Sequence, residues 1–67
     1  MTAANSYYFE VHKSLNNQYF FRFRAPNHEI IVVSETYVAK ANALYAISLL
    51  KSFAAGALVH DMTHAAA

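Results

Sequence analysis

Tyr7-Tyr8-Phe9-Glu10-Val11-His12-Lys13, Ser14-Leu15-Asn16-Asn17-Gln18 and Tyr19-Phe20-Phe21-Arg22-Phe23-Arg24-Ala25 follow one another without a break, and their reading decides the fold. The first and third stretches alternate with period two, so each reads as a half-buried strand. Tyr7, Phe9 and Val11 share one side, and Tyr8, Glu10 and His12 the other. The polar stretch between them is a turn, and its length sets the register, because a one-residue slip exchanges the faces of a strand. A two-residue Asn16-Asn17 turn would place Phe9 opposite Arg24 and mix apolar with charged side chains. A three-residue loop of Leu15, Asn16 and Asn17, with Asn17 in the left-handed conformation that Asn tolerates, pairs Ser14 with Gln18. Phe9 then faces Phe23, and Val11 faces Phe21. The outer face gains Glu10 opposite Arg22 and Tyr8 opposite Arg24, an ion pair and a cation–π contact suited to a solvated sheet face.

The chain continues through Pro26-Asn27-His28, where Pro presets the first turn angle and His28 must take the left-handed position. Pairing Ala25 with Glu29 sets Phe23 opposite Ile31 and Phe21 opposite Val33, giving an expected core face of Phe9, Val11, Phe21, Phe23, Ile31 and Val33. Ile30 and Val32 are left for the outer face. From about Ala39 to Phe53, Ala43, Ile47, Leu50 and Ala54 recur at helical spacing, which predicts an amphipathic helix with a wide apolar arc. Gly56, the only glycine, is the expected stop. Ala57 to Asp61 is read as a last short strand with Val59 buried. The fold class is therefore α+β, in the order β-β-β-α-β, with the helix on one face of an antiparallel sheet.

Sixty-seven residues make one domain, assigned to residues 7–61, with disordered tails at 1–6 and 62–67. A chain this short buries only about 60% of its surface and needs help from disulfides, a metal or a partner. There is no cysteine, while 57% of residues are hydrophobic and only 13% charged. Oligomerisation is the remaining help. A helix is about 10 Å across, whereas three or four strands about 4.8 Å apart present a face of roughly 15 to 20 Å. One helix cannot cover that face, so a homodimer with two helices over one continuous sheet is expected. A net charge of +1 offers no broad basic field for nucleic acid. No signal peptide or membrane span is legible, and a cytoplasmic location is expected.

Phe9-Glu10-Val11, the run Phe21 to Ala25, Asn27-His28-Glu29-Ile30-Ile31, Ser34-Glu35 with Tyr37, and Ala46-Ile47 with Leu50 resemble the YegP-like family of small uncharacterised bacterial proteins. The resemblance covers about Tyr8 to Asp61. It implies a three-strand, helix, strand unit, single or in tandem, in which two units form one sheet by exchanging their C-terminal strands. Ala57, Leu58, Val59, His60 and Asp61 would then cross to the partner, with Ala55 and Gly56 as the hinge. The chain departs from the family pattern before the helix, where Thr36, Val38 and Ala39 stand in place of glycine and small hydroxyl residues, removing the usual N-cap oxygen. It also carries Leu44, Tyr45, Ala46 and Leu49 where polar or small residues are usual. Leu44, Tyr45 and Leu49 are accordingly read as a surface for another protein or a higher assembly.

Catalysis and metal binding find little support. His60 and His64 would stand about 13 Å apart on a strand, too far to share an ion, and no cysteine or carboxylate set accompanies them. His12 and His28 read as surface residues. Glu10, Glu29, Glu35 and Asp61 form no evident pair for acid–base work, and one glycine cannot build a phosphate loop. No enzyme, cofactor or metal is expected. Tyr8, Phe20, Arg22 and Arg24, with Lys13, could stack and hold single-stranded nucleic acid or another ligand, although Glu10 offsets the charge. Ser34 and Glu35 are read as bonding backbone at the strand-to-helix turn, with Tyr37 packed beneath the helix.

Overall fold

The computed structural model describes residues 6–63; the remainder of the two expected tails, 1–5 and 64–67 with His64, lies outside the described residues. Three strands, β1 (Tyr8–Lys13), β2 (Tyr19–Arg24) and β3 (Ile30–Val33), form an antiparallel sheet in the order β1-β2-β3. The first hairpin has the expected register, with Phe9 opposite Phe23, Val11 opposite Phe21 and Glu10 opposite Arg22. Its loop closes when the Ser14 N–H donates to the Gln18 carbonyl at 2.7 Å and the Asn17 N–H to the Ser14 carbonyl at 3.1 Å. Asn17 sits at φ 64° and His28 at φ 72°, the two non-glycine residues with positive φ among those described. Both turns thus use the left-handed residue that their lengths demand.

The third strand corrects the expected core. Ala25 does donate to the Glu29 carbonyl at 2.9 Å, and Arg24 lies opposite Ile30, but Phe23 then pairs with Val32 and Arg22 with Val33. The register shift is a bulge at Ile31, which inserts one extra residue and reverses the parity of everything after it. Val32, rather than Ile31 and Val33, joins Phe9, Phe21 and Phe23 on the helix side. Four consecutive β-branched residues carry no alternation, so periodicity could not reveal the slip.

Helix α1 (Lys40–Phe53) begins after Ala39, which makes no side-chain capping bond, and its first turn holds no acidic residue. Both omissions forgo about 0.3–1 kcal/mol of helix-end stabilisation. Lys51 in the last turn is correctly signed for the C-terminal end of the dipole. A 3₁₀ turn, Ala54–Gly56, follows, and Gly56 is not in the left-handed region, so it does not act as the glycine stop that the sequence suggests.

Only Phe21, Ala25, Ala43 and Ile47 are buried hydrophobic residues among those described. The helix rests on β1 and β2 and makes no comparable contact with β3. The expected fifth strand does not form within the chain: Ala57–Asp61 pairs with no strand, Leu58 is 81% exposed and Val59 93% exposed. Val59 is therefore not buried by the described residues of its own chain. The radius of gyration, 14.2 Å, exceeds the about 11 Å of a compact chain of this length. Accessible surface is 5426 Å², against about 4200 Å² for a folded monomer of this mass.

Asn17→Ala is expected to lower unfolding stability by about 1 kcal/mol, whereas Asn17→Gly retains or raises it, because only the former meets a left-handed penalty. Urea denaturation of the two variants against the parent measures the difference.

Candidate functional site

Two apolar grooves open where α1 fails to cover the sheet. The first, about 320 Å³, lies under the C-terminal half of the helix and is lined by Phe9, Phe21, Phe23, Val32, Leu50, Lys51 and Ala54. The second, about 530 Å³, runs beside it and is lined by Phe21, Tyr37, Ala46, Leu49, Leu50, Phe53, Ala54 and Ala57. Val32 remains 47% exposed although it faces the helix layer, because nothing rests on that strand. The sequence reading missed Val32 behind the bulge. It also did not single out Phe53, whose position at the helix end only the tertiary structure joins to the groove.

Tyr37 holds one wall. It bridges to Tyr19 through two backbone bonds of 2.8 and 2.6 Å, and its ring stacks on Phe21 with centroids 6.4 Å apart. Ser34 accepts from the Phe21 N–H at 2.9 Å and donates its own proton to the Glu35 carbonyl at 2.7 Å. Ser34 and Tyr37 thus fasten the segment between β3 and α1 onto β2. The Glu35 side chain makes no hydrogen bond or ion pair among the described residues.

The residues singled out on the helix do not form one patch. Leu44, Tyr45 and Leu49 are all exposed. At 3.6 residues per turn, however, Leu44 and Leu49 point about 140° apart. Leu49 lines the second groove, and Leu44 and Tyr45 line neither.

The outer face brings Tyr8, Phe20, Arg22 and Arg24 together, but most of their capacity is already used. Arg24 corrects the expected ion pair: its Nε donates to Glu10 Oε1 at 2.7 Å and its Nη1 to the His28 carbonyl at 2.7 Å. Arg22 stands opposite Glu10 yet leans over the Phe20 ring at 5.5 Å, and its Nε is shielded from solvent without a partner among the described residues. The cation–π contact expected between Tyr8 and Arg24 gives way to this one. His12 stacks on Phe20 at 5.3 Å and 19°, so the ring that would receive a base is flanked by His12 and Arg22. Tyr8 Oη pairs with His28 Nδ1 at 2.7 Å. Hydrogen bonds from His12 and from Arg24 hold the Glu10 carboxyl below the ordinary carboxylate range. Among the described residues, no group of three or more potential ligands gathers for a metal ion, and no helix is long and apolar enough to cross a membrane.

A three-stranded antiparallel meander carrying one helix, its last segment unpaired, defines a small α+β unit with an unfinished apolar layer. The sequence family described as a domain of unknown function, DUF1508, matches residues 14–61. UPF0339 protein NMB1088 of Neisseria meningitidis serogroup B is 42% identical over 55 residues, covering 82% of this chain and 98% of the relative. UPF0339 protein Atu5359 of Agrobacterium fabrum is 48% identical over 59 residues, covering 88% and 95%. UPF0339 protein YegP of Yersinia pestis is 35% identical over 57 residues, covering 85% of this chain but 51% of YegP. The NMR solution structure of a protein from Haloferax volcanii superposes with a TM-score of 0.76 at 29% identity, covering 85% of this chain and 97% of that one. The chain belongs to the DUF1508, YegP-like family, which is uncharacterised and carries no assigned molecular function.

Glu10 has a lowered folded-state pKa, so it contributes stability that is present above the ordinary value of 4.5 and lost as pH falls through the folded value. Unfolding stability is therefore expected to fall as pH drops below about 4.5, and Glu10→Gln to flatten that part of the curve. Denaturation midpoints across this acid range, parent against variant, check the slope.

Proposed function

We propose that this chain is a cytoplasmic, homodimeric structural and interaction module without catalytic activity, in which each copy completes the other's apolar layer. The observation that carries this reading is a mismatch within one chain: an apolar groove is open beside β3 and a second beside the helix, while Ala57–Asp61 pairs with no strand and leaves Leu58 and Val59 exposed. The far edge of β3 is unpaired, and an exposed strand edge is a template for another strand. Five extended residues span about 16 Å, enough to run the length of a four-residue strand. Exchange of Ala57–Asp61 between two copies would answer the edge and the grooves together. That the match spans 51% of YegP supports the same unit, since that protein has room for two in one chain.

A second reading, an anionic ligand or single-stranded nucleic acid on the outer face, has one observation in its favour, the unpartnered Arg22 Nε. The occupied faces of Phe20 weaken it, because stacking needs a free ring.

Sedimentation equilibrium is expected to give about 15 kDa, twice the 7.5 kDa chain. Leu58→Asp with Val59→Asp shifts the mass to the monomer and lowers the denaturation midpoint, whereas Leu44→Ser with Tyr45→Ser, outside both grooves, leaves the dimer intact. A stable monomer at high concentration, indifferent to Leu58 and Val59, refutes the proposal.

A further inference from the structure

We propose that the cleft between the start of α1 and the closed end of the β1–β2 hairpin binds a compact, doubly charged anion of the phosphate-monoester class, held by Lys13 and Lys40. This cleft is separate from the apolar grooves and does not depend on the dimer. It is an open cleft of about 250 Å³ lined by Val11, His12, Lys13, Tyr19 and Lys40. Lys13 and Lys40 both line it, and no carboxylate is among the lining residues. Neither lysine is in an ion pair among the described residues, because both ion pairs present go to Glu10, from Arg24 and from His12.

The position of each lysine calls for an explanation that the fold does not supply. Lys40 is the first residue of α1, where the helix dipole disfavours a cation and favours an acid, so helix stability does not account for it. Lys13 lies over the Tyr19 ring at 5.8 Å, which anchors its flexible stem beside the cleft. Two cations along one cleft favour an anion there over a cation. A phosphate monoester carries nearly two negative charges near neutral pH and three acceptor oxygens, matching two ammonium groups in number and sign. The volume selects a small ligand, since pockets for drug-sized molecules run from about 300 to 1,000 Å³. Val11 and the Tyr19 ring supply an apolar wall for the carbon part of such a molecule.

The test is a titration of the full chain with inorganic phosphate at constant ionic strength and about pH 8, where phosphate is nearly all dianion, followed through backbone amide chemical shifts. Saturable shifts at residues 11–13, 19 and 40 are expected, with a Kd on the order of 1 mM. Lys13→Gln with Lys40→Gln weakens binding at least about tenfold, each single substitution gives an intermediate loss, and Arg22→Gln binds as the parent does. Shifts that rise without saturating, that persist unchanged in the double variant, or that vanish with Arg22→Gln overturn the proposal. An unchanged sedimentation mass and a dispersed amide spectrum for each variant separate lost binding from lost structure, and from any failure of the dimer.

Discussion

One α-helix is narrower than the pleated layer it has to cover, and the rest of this molecule is organised around that shortfall. With Ala43 and Ile47 pressed onto β1 and β2, the helix uses its reach, and β3 receives nothing. A layer of Phe9, Phe21, Phe23 and Val32 is left open along one flank. A monomer in which four described hydrophobic residues are buried sits at the low end of what core burial can stabilise. Leu58 and Val59 are apolar although they stand exposed, and so match in chemistry the surface open beside β3.

The two faces of the sheet solve different problems. The outer one is solvated and closes on itself through hydrogen bonds and stacking: Glu10 is shared by Arg24 and His12, and Phe20 is flanked by His12 and Arg22. Such contacts between partly exposed groups order side chains but contribute little stability each. The inner face has few polar groups to satisfy and depends on exclusion of water, which is why it needs area and not partners of specific geometry. Electrostatics therefore govern the outer surface and the hairpin end, and burial governs the helix side.

The bulge at Ile31 shows how a local irregularity redistributes apolar surface. By moving Val32 to the helix side it leaves Ile31 and Val33 away from that layer, so β3 is apolar in both directions. Bulges also bend and twist the strand that carries them, and they are common at sheet edges. In this chain the edge strand that lacks a helix above it is also the one whose pairing is interrupted.

The existence of three strands and one helix, their antiparallel order, the register of the first hairpin and the left-handed residues Asn17 and His28 were all legible in the residues. These features depend on contacts between neighbours along the chain, where periodicity of two or 3.6 and turn length leave few alternatives. Several features of the candidate site were not legible. A run of Ile30, Ile31, Val32 and Val33 conceals its own parity, Arg24 could reach Glu10 only diagonally, and Lys13 and Lys40 line one cleft from 27 positions apart in sequence. The sequence by itself determined the three strands and the helix, though not the state of the last segment, and that these would be too few to enclose a core. Only the tertiary structure decided where the open flank lies, which side of β3 faces it and which charges meet at the hairpin end, because those depend on how side chains distant in sequence compete for the same space.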